Sequence, residues 1–170
     1  MATVWNLDPA HSEITFKVKH MMISNVKGAF DTFSGTITAE DDTFKNAKTS
    51  ATIETASIDT NSKDRDEHLK GPDFFNAAEF PTITFTSDSL NEDVTGNITI
   101  HGVTKPIKLE VEFGGINVDP WGNTKAGFSF TGTIKRSDFG LNWNASLEAG
   151  GVLVSDEVKI AGDLQFAKQA

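Results

Sequence analysis

The densest cluster of side chains able to do chemistry is Arg65, Asp66 and His68, inside the run from Ser57 to Phe75. A permanent cation, a carboxylate and a titratable ring within four residues suit two tasks. They can hold a polar or anionic head group by charge-assisted hydrogen bonds, or they can fasten their own segment to the body of the protein. Local signals make the segment a short helix. Ser62 can cap it, Asp64, Asp66 and Glu67 sit near the positive end of the dipole, Lys70 is in the last turn, and Gly71-Pro72 stops it. Arg65 and His68 then share a face with Leu69, four residues after Arg65, and Phe74 and Phe75 follow at once. Both tasks remain open on this evidence. Phe74, Phe75 and Phe80 are either core or a lid over whatever lies beneath.

The remaining candidates are weaker. His20 ends the apolar face of a strand, as a satisfied core histidine or as a polar group at one end of a pore. His11 and His101 stand beside turn signals and are predicted to be solvated or structural. Four histidines without an HExxH spacing or any cysteine give no metal centre, and no cofactor is expected. Catalysis needs a nucleophile beside a base, or two carboxylates in separated environments, and neither is visible. There is no G-x-S-x-G and no glycine-rich phosphate loop, and Arg136-Ser137-Asp138 reads as a turn after a strand. The chain is predicted not to be an enzyme; the catalytic alternative would use His68 or His20.

The positioning elements are mostly strands. Residues 1–170 read as one domain, long enough to bury a core. Fifteen Lys and Arg against twenty-four Asp and Glu give a net charge of -9, which argues against nucleic acid or an anionic membrane surface as the main partner. No run approaches the ~20 apolar residues of a membrane span, and Met1 to Glu13 has neither a basic nor an apolar leader segment, which predicts a cytoplasmic location. Thirteen Phe and no Tyr point to a dry interior.

Ala2 to Leu7 is predicted as a short edge strand closed by Asp8-Pro9. From Glu13 to His20, Phe16, Val18 and His20 alternate with Lys17 and Lys19, the period of a half-buried strand. Val26 to Phe30 and Phe33 to Thr38 read as one strand broken at Asp31-Thr32, with bulges or a barrel corner at Gly28 and Gly35. Ala47 to Ile58 reads as one long strand. Further strands follow at 82–87, 94–100, 107–113, 126–136 and 157–166. A second short helix is expected at Ala145 to Ala149, with Trp143 near it in the core and Trp121 on a loop tip.

About eight strands, each apolar on one face and joined mostly by short turns, make an antiparallel meander that short helices cannot cover. The predicted fold is all-β: a single antiparallel up-and-down, lipocalin-like β-barrel. Its inward residues, and so the candidate pore lining, are Phe16, Val18, His20, Ile37, Ile53, Phe85, Ile98, Ile100, Leu109, Val111, Phe128, Phe130 and Ile160. Arg65, His68, Leu69, Phe74 and Phe75 are the candidates for the pore mouth.

Several blocks in order resemble the YceI-like polyisoprenoid-binding family, a bacterial group. They are Asp8-Pro9-Ala10-His11-Ser12 leading into Phe16-Lys17-Val18-Lys19-His20; Val26 to Phe30; Ser57 to Thr60 with Arg65 to Leu69 and Asp73 to Phe75; Phe80 to Phe85; Gly96 to Pro106; and Lys135 to Leu141. The resemblance covers nearly the whole chain. It implies an apolar pore holding a long-chain isoprenoid lipid, often a homodimer, and no established catalytic activity. The best-known members are exported through a signal peptide that this sequence does not show. The expected function is therefore a carrier or store of an apolar chain-like lipid, of polyisoprenoid or isoprenoid quinone type. A packed barrel without a lipid, structural or stress-related, is the rival.

Overall fold

The computed structural model describes residues 2–21, 23–90, 93–141 and 154–169. Its strands are β1 (Thr3–Leu7), β2 (Glu13–His20), β3 (Ser24–Phe30), β4 (Phe33–Ala39), β5 (Lys48–Glu54), β6 (Ile58–Asp59), β7 (Thr82–Ser87), β8 (Asp93–Ile100), β9 (Val103–Val118), β10 (Thr124–Lys135) and β11 (Val154–Lys168), with helix α1 at Lys63–Lys70. All pairings are antiparallel, and the order is β1-β4-β5-β7-β8-β9-β10-β11-β2-β3-β6 with β1 also paired to β11. The second pairing closes an eight-stranded barrel.

Three breaks in the strands separate the eight-stranded barrel from the extra strands β2, β3 and β6. One edge of β11 is shared: Phe166 faces Leu7 of β1, while Asp163 faces Glu13 of β2. Between them Asp8 turns the chain, its carboxylate accepting from the amide of Ala10, and Pro9 begins a 3-10 turn. β3 and β4 are likewise one strand broken at Asp31-Thr32, β3 pairing with β2 and β4 with β1. The stretch expected as a single strand from Ala47 to Ile58 is also broken, by a 3-10 turn at Thr55–Ser57 that separates β5 from β6. Beyond β6 no described strand follows, and α1 packs there instead.

β1 is not an edge strand, contrary to expectation. Pro9 lies just outside it and costs no ladder bond, while Trp5 is 1% exposed and the strand pairs on both sides. Nor do Gly28 and Gly35 form bulges, since both keep regular register with β2 and β5. One register shift is at Gly114-Gly115, where Gly127 faces Gly115 but Phe128 faces Phe113, and another is in β11 between Val154, facing His20, and Val158, facing Val18. Gly115 has φ +103, a conformation glycine adopts without strain. The helix expected at Ala145 to Ala149, and Trp143, lie outside the described residues.

Alternation sends two apolar clusters inward. At the closed end Trp5, Ile37, Phe44, Leu90, Val94, Phe128 and Phe166 pack together. Toward the open end Phe30, Ile58, Ile83, Ile98, Ile100, Ile107, Leu109, Phe139 and Leu141 form the second.

Candidate functional site

Between these clusters lies a cavity of about 410 Å³, within the range of small-molecule sites. Its wall is nearly all carbon, drawn from the inward positions of the long strands. Phe16, Val18, Ile53, Phe85, Ile98, Ile100, Leu109, Val111, Phe128, Phe130 and Ile160 line it, as does His20. Ile37 does not. It faces inward, but at 0% exposure it sits opposite Trp5, below the floor of the cavity. A period of two gives the face of a strand and says nothing about height along the barrel.

The floor is aromatic. Phe44 comes from the loop between β4 and β5, with φ 59, and its ring meets Trp5, Phe113 and Phe128 at centroid distances of 5.3, 5.3 and 5.1 Å. All three contacts are edge-to-face, an arrangement the ring quadrupole prefers. Asp41 braces the loop, accepting from the amide and hydroxyl of Thr43, and both bonds hold its carboxyl below the usual range. Sequence reasoning missed Phe44; its one signal was a lone ring in an otherwise polar loop.

At the opposite end α1 is stapled to β6 through Thr60, which is 3% exposed. Asp66 accepts from the Thr60 amide at 2.8 Å and from its hydroxyl at 2.5 Å. Arg65 donates from Nε to the Thr60 hydroxyl at 2.8 Å and from Nη2 to its carbonyl at 2.5 Å. Ser62 caps the helix, accepting from the Arg65 amide. Two of the three guanidinium nitrogens are thus committed to fastening the helix. Among the described residues Nη1 makes no hydrogen bond.

Arg65 and His68 are exposed and also line the cavity, so α1 borders its mouth. His68 pairs with Asp73 at 3.1 Å and stands edge-on to Phe74, while Phe75 meets Phe30 edge-on at 5.9 Å. Leu69, Phe74 and Phe75 complete this part of the lining. His11 bonds Asp8 on the surface, and His101 meets the carbonyl of Phe139.

A further cation was missed. Arg136 is 7% exposed and lines the cavity, donating to the carbonyls of Leu141, Val154 and Ser155. Burial draws its pKa down and Asp156 opposes the shift. Burial also pushes the Asp156 carboxyl up, but bonds from the Ser137 amide and hydroxyl, with Arg136 nearby, leave it below its usual value. In sequence this cation stood at the end of a strand, beside the Ser137-Asp138 turn. Its only signal was position, at the end of the alternating strand 126–136, whose next inward place after Ile134 it takes.

The arrangement can bury an apolar chain, floored by rings at one end and bordered by two arginines and two histidines at the other. Among the described residues no helix is long and apolar enough to cross a membrane. Comparisons with known proteins agree with the fold. The model of the YceI-like domain matches residues 5–166. A UPF0312 protein of Staphylococcus aureus strain MSSA476 is 41% identical over 167 residues, covering 97% of this chain and 98% of the relative. Among solved structures, the Campylobacter jejuni YCEI protein is 36% identical with a TM-score of 0.75, covering 89% of this chain and 90% of that one. BcnA of Burkholderia cenocepacia is 26% identical with a TM-score of 0.79, over 94% and 98%. A polyisoprenoid binding domain from Saccharophagus degradans, implicated in plant cell wall breakdown, shares the fold at a TM-score of 0.72 and 18% identity, over 97% and 98%.

Proposed function

Since this chain belongs to the YceI-like family, we propose that it binds one chain-like isoprenoid lipid inside the barrel and acts as a carrier or store, not as a catalyst. The observation that carries this reading is the cavity: an apolar interior left unfilled between two packed clusters, with charged and titratable side chains gathered at one end. Each buried methylene contributes about 0.8 kcal/mol, so a five-carbon isoprene unit contributes about 4 kcal/mol before ordering costs. The polar end of the lipid stays at the mouth by Arg65 and His68, where it keeps water or gains a donor, because burying it unpaired among the rings of the floor would be costly.

Mass spectrometry of an organic extract of the purified protein tests the reading. Recovery of a polyprenyl or prenylquinone species in near-stoichiometric amount is the expected result. An extract without lipid, together with no binding of added prenols, would favour the packed structural barrel.

A further inference from the structure

Among the described residues five inward positions of the wall are glycines, and four of them, all but Gly35, lie beneath a large side chain. A Cβ on Gly28 would stand 2.3 Å from the ring of Phe16, its direct cross-strand partner. One on Gly162 would stand 2.3 Å from the ring of its partner Phe130. At Gly96 the ring of Phe85 would be 2.6 Å away, and at Gly132 a methyl of Leu109 would be 2.6 Å away. Phe16, Phe85, Leu109 and Phe130 all line the cavity. None of the four has a positive φ; at Gly28 and Gly132 the side chain lying across the position demands glycine, and at Gly96 and Gly162 a neighbouring carbonyl oxygen does so as well.

Glycine inside a strand is unfavourable, and four of them weaken the barrel wall. The arrangement has one geometric consequence. A ring laid over bare backbone adds its thickness to the wall, whereas a ring held off by a Cβ adds its length to the lumen. With alanine at these places the rings would turn toward the barrel axis and fill the space that is now cavity.

We propose that these glycine pairs set the bore of the cavity and hold it wide enough for a methyl-branched chain, making them the positions that select branched over straight lipids. The inference rests on the carrier reading above and deepens it. An isoprenoid bears a methyl on every fourth main-chain carbon, so its cross-section exceeds that of a polymethylene chain. One methyl too many for an apolar site discriminates by about tenfold to two-hundredfold.

Gly28→Ala and Gly132→Ala are the informative variants, because their nearest obstacles are side chains. At Gly96 and Gly162 the carbonyl oxygens of Thr86 and Glu13, 2.4 and 2.9 Å away, would move strands instead. Crystal structures of the ligand-free single and double variants should show Phe16 and Leu109 turned into the lumen. Titration with geranylgeraniol and with hexadecanol, which have equal main chains, should show the branched alcohol weakened about tenfold or more and the straight one changed less than about twofold. Adding Phe16→Leu to Gly28→Ala should restore the branched alcohol. Rings that stay in place while β2 and β3 separate, or equal losses for both alcohols, would overturn the proposal. If the wild type binds neither alcohol, the carrier reading falls and the selectivity with it, while the ring positions in the ligand-free crystals still decide whether the glycines hold the lumen open.

Discussion

The two ends of this barrel are built from the same strands to opposite purposes. At the closed end Trp5, Phe44 and Phe128 are each under 5% exposed, and Phe44 meets the other two ring to ring. At the open end Phe16, Phe85 and Phe130 are only half-buried, because one side of each faces the cavity. There polar staples on Thr60 and Arg136 add to the packing of the second apolar cluster. The contrast teaches that a hollow barrel can pack one end ring against ring and reinforce the end beside its cavity with buried hydrogen bonds.

The same deletion made at the two ends tests this most strongly. Phe44→Ala removes the centre of the aromatic floor and should cost about 3–5 kcal/mol by chemical denaturation, with or without lipid. Phe16→Ala at the open end should cost clearly less in lipid-free protein, since part of its surroundings is already empty, and the gap between the variants should narrow on adding prenol. Equal losses in lipid-free protein would remove the distinction between the ends.

Asp66→Ala probes the staple. It leaves the buried amide and hydroxyl of Thr60 without their acceptor, at a cost of about 1–3 kcal/mol. Hydrogen exchange should quicken at the Thr60 amide and α1, and stay unchanged at Trp5. Charged and neutral prenols should weaken alike, because loosening the helix disturbs the mouth for both. A loss confined to a prenyl phosphate would assign the cluster to the head group instead.

Much of the architecture was legible because alternation is a local property: Phe16-Lys17-Val18-Lys19 shows its inward face without any partner strand. Closure of the sheet followed from having one apolar face and nothing to cover it. What stayed hidden depends on distant residues. The role of β1 required knowing that the end of β11 at Phe166 pairs with Leu7, and the height of Ile37 relative to the cavity required knowing where Phe44 enters. Arg136 is buried only because Leu141, Val154 and Ser155 turn their carbonyls to it. At the mouth, the sequence grouped Arg65, Asp66 and His68; that Thr60 would anchor Arg65 and Asp66 while His68 turns to Asp73 needed coordinates.

Acid should loosen both ends, for a reason that can be divided between them. Asp8, near the closed end, is held below its unfolded value of 3.8 first by the hydrogen bond from Lys125 and next by that from His11. Asp156, near the open end, is also held below 3.8. A carboxylate depressed on folding contributes stability that is complete above the unfolded pKa and is lost as pH falls through the folded one. Stability should therefore begin to fall near pH 3.8 and continue to fall below it. Asp8→Asn should flatten one part of that acid limb and Asp156→Asn another, each by less than the cost of Asp66→Ala. An acid limb unchanged in both variants would mean that other carboxylates control it.

The smallest effect has the opposite sign. Outside the closed end a cation is paired: Lys125 lies 2.8 Å from Asp8, and both are mostly buried. Outside the open half, Lys159 faces Lys17 and Lys17 faces Lys27, three like charges directly opposite one another on adjacent strands. None of the three forms an ion pair among the described residues. Like charges directly opposite on a sheet are destabilising, by an amount comparable to the ~0.2–1 kcal/mol a favourable pair contributes. Lys17→Glu turns two repulsions into attractions and should stabilise by about that much per pair at low salt, while Lys125→Glu should destabilise. Lys17 is half-buried, so losing its stem costs some packing and could mask the gain at any single ionic strength. Salt separates the two contributions, because packing does not respond to screening, whereas exposed charges do once the Debye length falls from about 10 Å at 0.1 M to about 3 Å at 1 M. The stability difference between Lys17→Glu and wild type should therefore shrink as salt is raised. A difference that does not change with salt would mean that the lysine row carries no strain and that the outer faces of the two ends do not differ in this respect.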